Sequence, residues 1–257
     1  ARARRRQRER RYKIVGLVAL LVVAGLVAVG AVRGGYFGGD RRGPGAATRE
    51  DVLAQPPGLA EDGAAVAAVP SRGPGTFGYA AGTGPVVGTG GPLRRFRVAV
   101  ESGTQPAPDE FAAVAEQILV ESRGWTAGGT VRFQRVPQAR PAEFTLYLAT
   151  PGTSEQMCAK GGLHTGGYAS CRLPGQVILN LARWLTGAAG YGAPLATYRQ
   201  FALNHEVGRE LGYSNESCPG PGQPAPVMQQ QTLGLSGCLA NPWPYLGGKL
   251  YQGNAIP

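Results

Sequence analysis

The chain has 257 residues and carries 41 Gly and 21 Pro, roughly a quarter of all positions against an expectation of about 12 per cent, which excludes a single globule of the full length. The formal net charge of +10 is local: residues 1–13 hold eight Lys and Arg and one acid, residues 33–42 hold three Arg and Asp40, and from Gly43 onward 15 bases balance 14 acids. A neutral globular part excludes a basic groove for DNA or RNA, so no nucleic-acid partner is expected.

The basic segment 1–13 leads into Ile14 to Val32, nineteen residues without a charged or strongly polar side chain. As a helix this run is about 28 Å long, close to the roughly 30 Å hydrocarbon core of a bilayer. The cations before it predict a single-pass transmembrane helix over 14–32, with the N-terminus cytoplasmic and everything after it extracytoplasmic. A cleaved signal peptide is the competing reading, since Val29-Gly30-Ala31 offers small residues of the kind that precede a cleavage site. Both readings give the same compartment. Ala1 in place of Met suggests a cytoplasmic extension upstream.

From Gly34 to Pro92 the chain holds sixteen Gly and seven Pro among fifty-nine residues. Residues 33–74 therefore read as a flexible tether, because so few large apolar side chains cannot offset the entropy of ordering. Residues 75–257 form the extracytoplasmic domain, with Thr76 to Tyr79 as an early strand.

Arg95 to Glu101 alternates polar and apolar residues, which predicts a strand with one solvated face. A helix follows Pro108, with Phe111, Val114, Ala115, Ile118 and Leu119 as its apolar stripe and Gly124 as its stop. Strands are predicted over 130–136, 143–149, 167–173 and 176–182, the last two joined as a hairpin through the type II turn pair Pro174-Gly175. A second helix runs from about Pro194 to Leu211 and stops at Gly212. The fold class is α+β: a mixed sheet with two main helices and a loop-rich C-terminal region. In an oxidising compartment, Cys158, Cys171, Cys218 and Cys238 read as two structural disulfides. Three pairings are open, and the local pairs Cys158–Cys171 and Cys218–Cys238 are favoured because each closes a loop of little regular structure.

The segment that carries chemistry is Asn204-His205-Glu206-Val207-Gly208-Arg209-Glu210-Leu211-Gly212-Tyr213-Ser214-Asn215. Laid on the zinc-protease motif H-E-x-x-H-x-x-G-x-x-H, His205, Glu206 and Gly212 match, while Arg209 and Asn215 stand at the second and third histidines. Residues i and i+4 share a helix face, so His205 and position 209 point at one place; Glu206 is the would-be base, and Gly212 lets the chain turn back to bring in position 215. A guanidinium has no lone pair to offer, and an amide oxygen suits zinc poorly. Arg209, three residues after Glu206, is expected to fill the vacated position and pair with Glu206.

With Cys218-Pro219-Gly220-Pro221-Gly222 and Pro226-Val227-Met228 downstream, the chain resembles metzincin-type zinc peptidases, and more closely the DUF3152 family of actinobacterial membrane-anchored proteins. The resemblance covers about residue 75 to Tyr245. It implies a zincin-like sheet in the element order strand, helix, four strands, metal helix and methionine turn, with Met228 in that turn beneath the site. Zinc is the cofactor of the resembled peptidases; with two of three ligands replaced, none is expected here. The function that follows is a peptidase-like pseudoenzyme on the membrane, which binds a peptide or cell-envelope partner along the sheet edge near Tyr168 to Leu173. Arg209 and Tyr168 are its candidate contacts. Two alternatives stand beside it: an active zinc peptidase that uses His164 or Glu210 as a ligand, and a purely structural envelope protein.

Overall fold

The structure is a computed structural model that describes residues 69–256. The basic segment, the apolar run 14–32 and the tether up to residue 68 lie outside the described residues. Among the described residues no helix is long and apolar enough to cross a membrane.

The described chain opens with strands β1 (Phe77–Tyr79) and β2 (Leu93–Glu101), then helix α1 (Pro108–Val120), a 3-10 turn (Trp125–Gly128) and strands β3 (Arg132–Arg135) and β4 (Phe144–Ala149). Helix α2 (Pro151–Ala159), the hairpin β5 (Cys171–Leu173) and β6 (Gln176–Asn180), and helices α3 (Leu181–Thr186) and α4 (Leu195–Glu210) follow. A 3-10 turn (Gln231–Leu233) and the small ribbon β7 (Tyr245–Leu246) and β8 (Lys249–Leu250) close it. The main sheet runs in the order β1-β2-β4-β6-β5, with β3 also on β2. Strands β2, β3, β4 and β6 pair parallel, while β1 and β5 are antiparallel to their neighbours. This is the predicted α+β class with a mixed sheet.

The pleat sends alternate residues to opposite faces, and the two faces differ in size. Val98, Val100, Leu146, Leu148, Val177 and Leu179 join the main core with α1 and α4. Ile178, between two of them in sequence, falls instead in a small second cluster with Cys158 and Cys171. A disulfide joins Cys158 of α2 to Cys171 of β5, and a second joins Cys218 to Cys238; these are the favoured pairings. The first ties the small rear core to the sheet edge, where apolar burial by itself is slight.

Several expected details are corrected. Strand β2 is solvated on one face only in its first half: Ala99 and Glu101 are as buried as Val98 and Val100. Helix α1 ends at Val120, not Gly124, which has φ −74° and opens the 3-10 turn that seats Trp125 in the core. Val114 is 36% exposed, and Ala112 takes its place on the buried face. The strand expected over 167–173 pairs only from Cys171, since Gly166 and Gly167 have φ of 63° and 66° and turn the chain. Strand β6 ends at Asn180, whose side-chain oxygen accepts the Arg183 N–H (3.3 Å) and caps α3. Gly175, at φ 75°, turns the hairpin as its Pro-Gly pair requires.

Helix α2 has no counterpart in the sequence reading. It lacks an apolar stripe, and its start is fixed from elsewhere by Glu101. That buried carboxylate accepts the N–H groups of Gly75 and Thr150 (2.8 Å each) and the Thr153 hydroxyl (2.6 Å). Burial raises its pKa, but these bonds outweigh burial and hold it below the ordinary 4.5. In the first turn of α2 the Gly152 N–H donates to the Ser71 carbonyl at 2.8 Å, so α2 also holds described residues from the end of the segment read as tether.

Candidate functional site

Helix α4 is built from helix-favouring Leu, Ala, Gln, Glu and Arg and begins after Pro194. Its last carbonyls are taken up locally: Leu211 N–H donates to Val207 (2.9 Å), Gly212 N–H to Arg209 (3.2 Å) and Tyr213 N–H to Gly208 (3.0 Å). Gly212 has φ 99°, a conformation that favours glycine, and there the chain reverses. The turn carries Asn215 back to the helix, and Glu216 N–H then donates to the Met228 carbonyl at 3.0 Å.

A cleft of about 340 Å³ results, and its lining includes His205, Glu206, Arg209 and Asn215. The structure thus brings together the four residues that the motif singles out. Edge strand β5 borders the same cleft through Cys171 and Arg172. A loop that includes His164 and Thr165 forms another wall. That loop is organised by Glu155, which accepts the Thr165 N–H (2.8 Å), the Thr165 hydroxyl (2.7 Å) and the Gly167 N–H (3.2 Å). These bonds hold the Glu155 carboxyl down at about 2. Sequence reading missed Glu155, because its partners lie ten and twelve residues ahead, past the end of its own helix.

His205 is 2% exposed and Glu206 5%. The His205 Nδ1–H donates to the Val227 carbonyl at 2.9 Å, which leaves Nε2 as a lone pair, and that atom is buried with no hydrogen-bond partner. The Asn215 side-chain oxygen is likewise buried and unpartnered. Burial pushes the His205 pKa down to about 4; the Val227 bond opposes this and the Arg209 charge adds to it. Burial pushes Glu206 up to about 8, with Arg209 opposing. Near pH 7 both side chains are neutral.

The expected Glu206–Arg209 ion pair does not form among the described residues. Arg209 donates instead to the Tyr213 carbonyl at 2.9 Å, because the Gly212 turn brings that oxygen across the helix end. Glu210 is taken by Arg172 at 2.6 Å, which fastens β5 to the end of α4. His164 has a 77% exposed side chain and lies 3.4 Å from Glu155. Tyr168 is outside the cleft lining and instead carries the Arg183 guanidinium 4.4 Å from its ring centroid.

The resemblance implies zinc at this place, and the donors do not fit it. Position 209 presents a cation, position 215 an amide oxygen, and only His205 offers a nitrogen lone pair. Among the described residues no group of three or more His, Cys, Asp or Glu is placed to hold an ion.

Met228 is buried under α4 at its one glycine. A Cβ on Gly208 would lie 2.5 Å from Met228 Sδ and 2.5 Å from the Trp125 ring. The ring is pinned by its Nε1–H bond to the Asn204 carbonyl (2.9 Å) and stacks on Tyr213 at 4.5 Å. Gly208→Ala should therefore destabilise the fold by about 1–3 kcal/mol, although alanine is the better helix former. Urea unfolding checks this, and a variant as stable as the parent refutes the packing argument.

Comparison with protein families finds that residues 62–241, more than half of the chain, match the family described as "Protein of unknown function (DUF3152)". The chain belongs to that family. No curated protein and no solved structure matches it.

Proposed function

We propose that this DUF3152 member is a membrane-anchored, extracytoplasmic, peptidase-like domain that binds an extended peptide of a cell-envelope partner and does not cut it. The observation that carries the reading is one cleft bordered by the free edge strand β5 and floored by His205, Glu206, Arg209 and Asn215. An exposed strand edge offers unpaired N–H and C=O groups to an added strand, whereas the floor lacks the donor set for a catalytic zinc. Kinship with metzincins is supported by the Gly212 reversal and by Met228 beneath the helix, whereas the expected unbroken run of four strands is interrupted by α2 between β4 and β5, and α3 precedes α4. The anchor rests on the apolar run 14–32 behind eight cations.

An active enzyme with other ligands is disfavoured, since Glu210 is engaged by Arg172 and His164 lies exposed beside Glu155. Zinc content of the whole chain in detergent, by elemental analysis, decides between them. The parent chain is expected to carry no stoichiometric zinc, and the double variant Arg209→His, Asn215→His to take up about one equivalent, because it restores three imidazoles around one position. One zinc per parent chain overturns the pseudoenzyme reading. No uptake by a folded double variant removes the support for kinship.

A further inference from the structure

We infer that Arg209 is a carboxylate anchor, and that the peptides this cleft accepts end there in a free α-carboxylate; the inference rests on the peptide-binding reading above. Arg209 is partly buried in the cleft. Among the described residues its side chain makes a single hydrogen bond, from Nη1–H to the Tyr213 carbonyl, out of five that a guanidinium can make. The two acids nearest in sequence do not neutralise it: Glu210 is held by Arg172 at 2.6 Å, and Glu206 makes no ion pair. A partly buried guanidinium without a carboxylate partner keeps N–H donors open to a ligand that enters the cleft.

The rest of the floor narrows the ligand class. His205 Nε2 and the Asn215 side-chain oxygen are acceptors, both buried and both without partners. A phosphate or sulfate would set its oxygens against them, and an ammonium group would meet Arg209. The last residue of a peptide presents a carboxylate for the guanidinium and an N–H for an acceptor within one unit. The chain ahead of it is then free to run along β5, whose Arg172 and Cys171 border the cleft. A cation in the last turn also suits the helix dipole, but that role is indifferent to how a ligand ends.

The test is equilibrium binding to the whole chain in detergent of two fluorescein-labelled hexapeptide pools of equal degeneracy, one with free C-terminal carboxylates and one amidated. The carboxylate pool is expected to bind at least tenfold more tightly, with the preference shrinking as salt rises. In Arg209→Gln the ratio should fall to about one, and in Arg209→Lys, which keeps the charge without the fork, it should be intermediate. Equal binding of both pools to the parent overturns the anchor and leaves the peptide-binding cleft standing. Persistence of the preference in Arg209→Gln, or its complete loss in Arg209→Lys, also overturns the anchor. Failure of both pools to bind overturns the cleft reading and the anchor with it.

Discussion

Glu206→Gln is expected to change how stability depends on pH, adding about 2 kcal/mol more at pH 8.5 than at pH 6.5. In the folded chain the Glu206 carboxyl stays protonated up to about pH 8, whereas unfolded it ionises above the ordinary 4.5. Between those values the folded state binds more protons, so stability falls as pH rises and the loss is complete above about 8. His205 acts in the opposite sense. Its folded pKa of about 4 lies below the ordinary 6.5, so its contribution is fully present above 6.5 and is lost as pH falls toward 4. The two oppose each other from 4.5 to 6.5, and above 6.5 only the Glu206 slope remains. Glutamine cannot ionise, so that slope should vanish in the variant. Urea unfolding of both chains at pH 6.5 and 8.5 measures it; parallel pH profiles would mean that Glu206 is ionised and solvated in the folded state.

Asn241→Ala should cost about 3–5 kcal/mol, the largest effect expected of a single polar truncation here. The Asn241 amide donates to the carbonyls of Ala225 (2.9 Å) and Trp243 (3.0 Å), and its oxygen accepts the Trp243 N–H (3.2 Å). Gln231 completes the frame: its amide donates to the Pro226 (3.1 Å) and Asn241 (2.8 Å) carbonyls, and its oxygen accepts from the Asn241 N–H (3.2 Å) and the Tyr191 hydroxyl (3.3 Å). Both side chains are buried, so truncation strands main-chain groups away from water. The frame holds the segment bearing Val227 and Met228 against α4, and hydrogen exchange over 224–243 should rise along with the global loss. Gln230→Ala, at a partly exposed neighbour, should stay within about 0.5 kcal/mol. Equal effects of Asn241→Ala and Gln230→Ala would show that the network is not what fixes this segment.

Much of the fold is legible in local pattern. The alternation in β2, the apolar positions of α1, the Pro174-Gly175 turn and the Gly212 stop are each written within a few residues, because strand and helix periods and positive-φ turns are local stereochemistry. The placing of His205, Glu206, Arg209 and Asn215 in one cleft was readable for the same reason, since one helix and one turn carry them all. Helix α2 was not readable: with no apolar stripe, its start depends on Glu101, some fifty residues upstream in sequence.

What the sequence alone determined, then, is the α+β class, the main strands and helices, the neutral charge of the globular part and the placing of His205, Glu206, Arg209 and Asn215 on one helix and its turn. The tertiary structure decided what those residues touch. Arg209 has the Tyr213 carbonyl rather than Glu206, and Glu210 has Arg172, 38 positions away. His205 is tautomerically fixed by a carbonyl 22 positions on. From Phe201 to Gly208 helix α4 is buried on every side, polar His205 and Glu206 included, because the C-terminal segment covers the side that carries His205. Gln229, Gln230 and Gln231 are one residue repeated in the sequence, yet Gln231 is an element of the buried frame and Gln230 lines the cleft. Pattern along the chain sets which side chains share a face. Which partner meets that face depends on how distant segments close over it, and burial then sets the charge and the hydrogen bonds of whatever is enclosed.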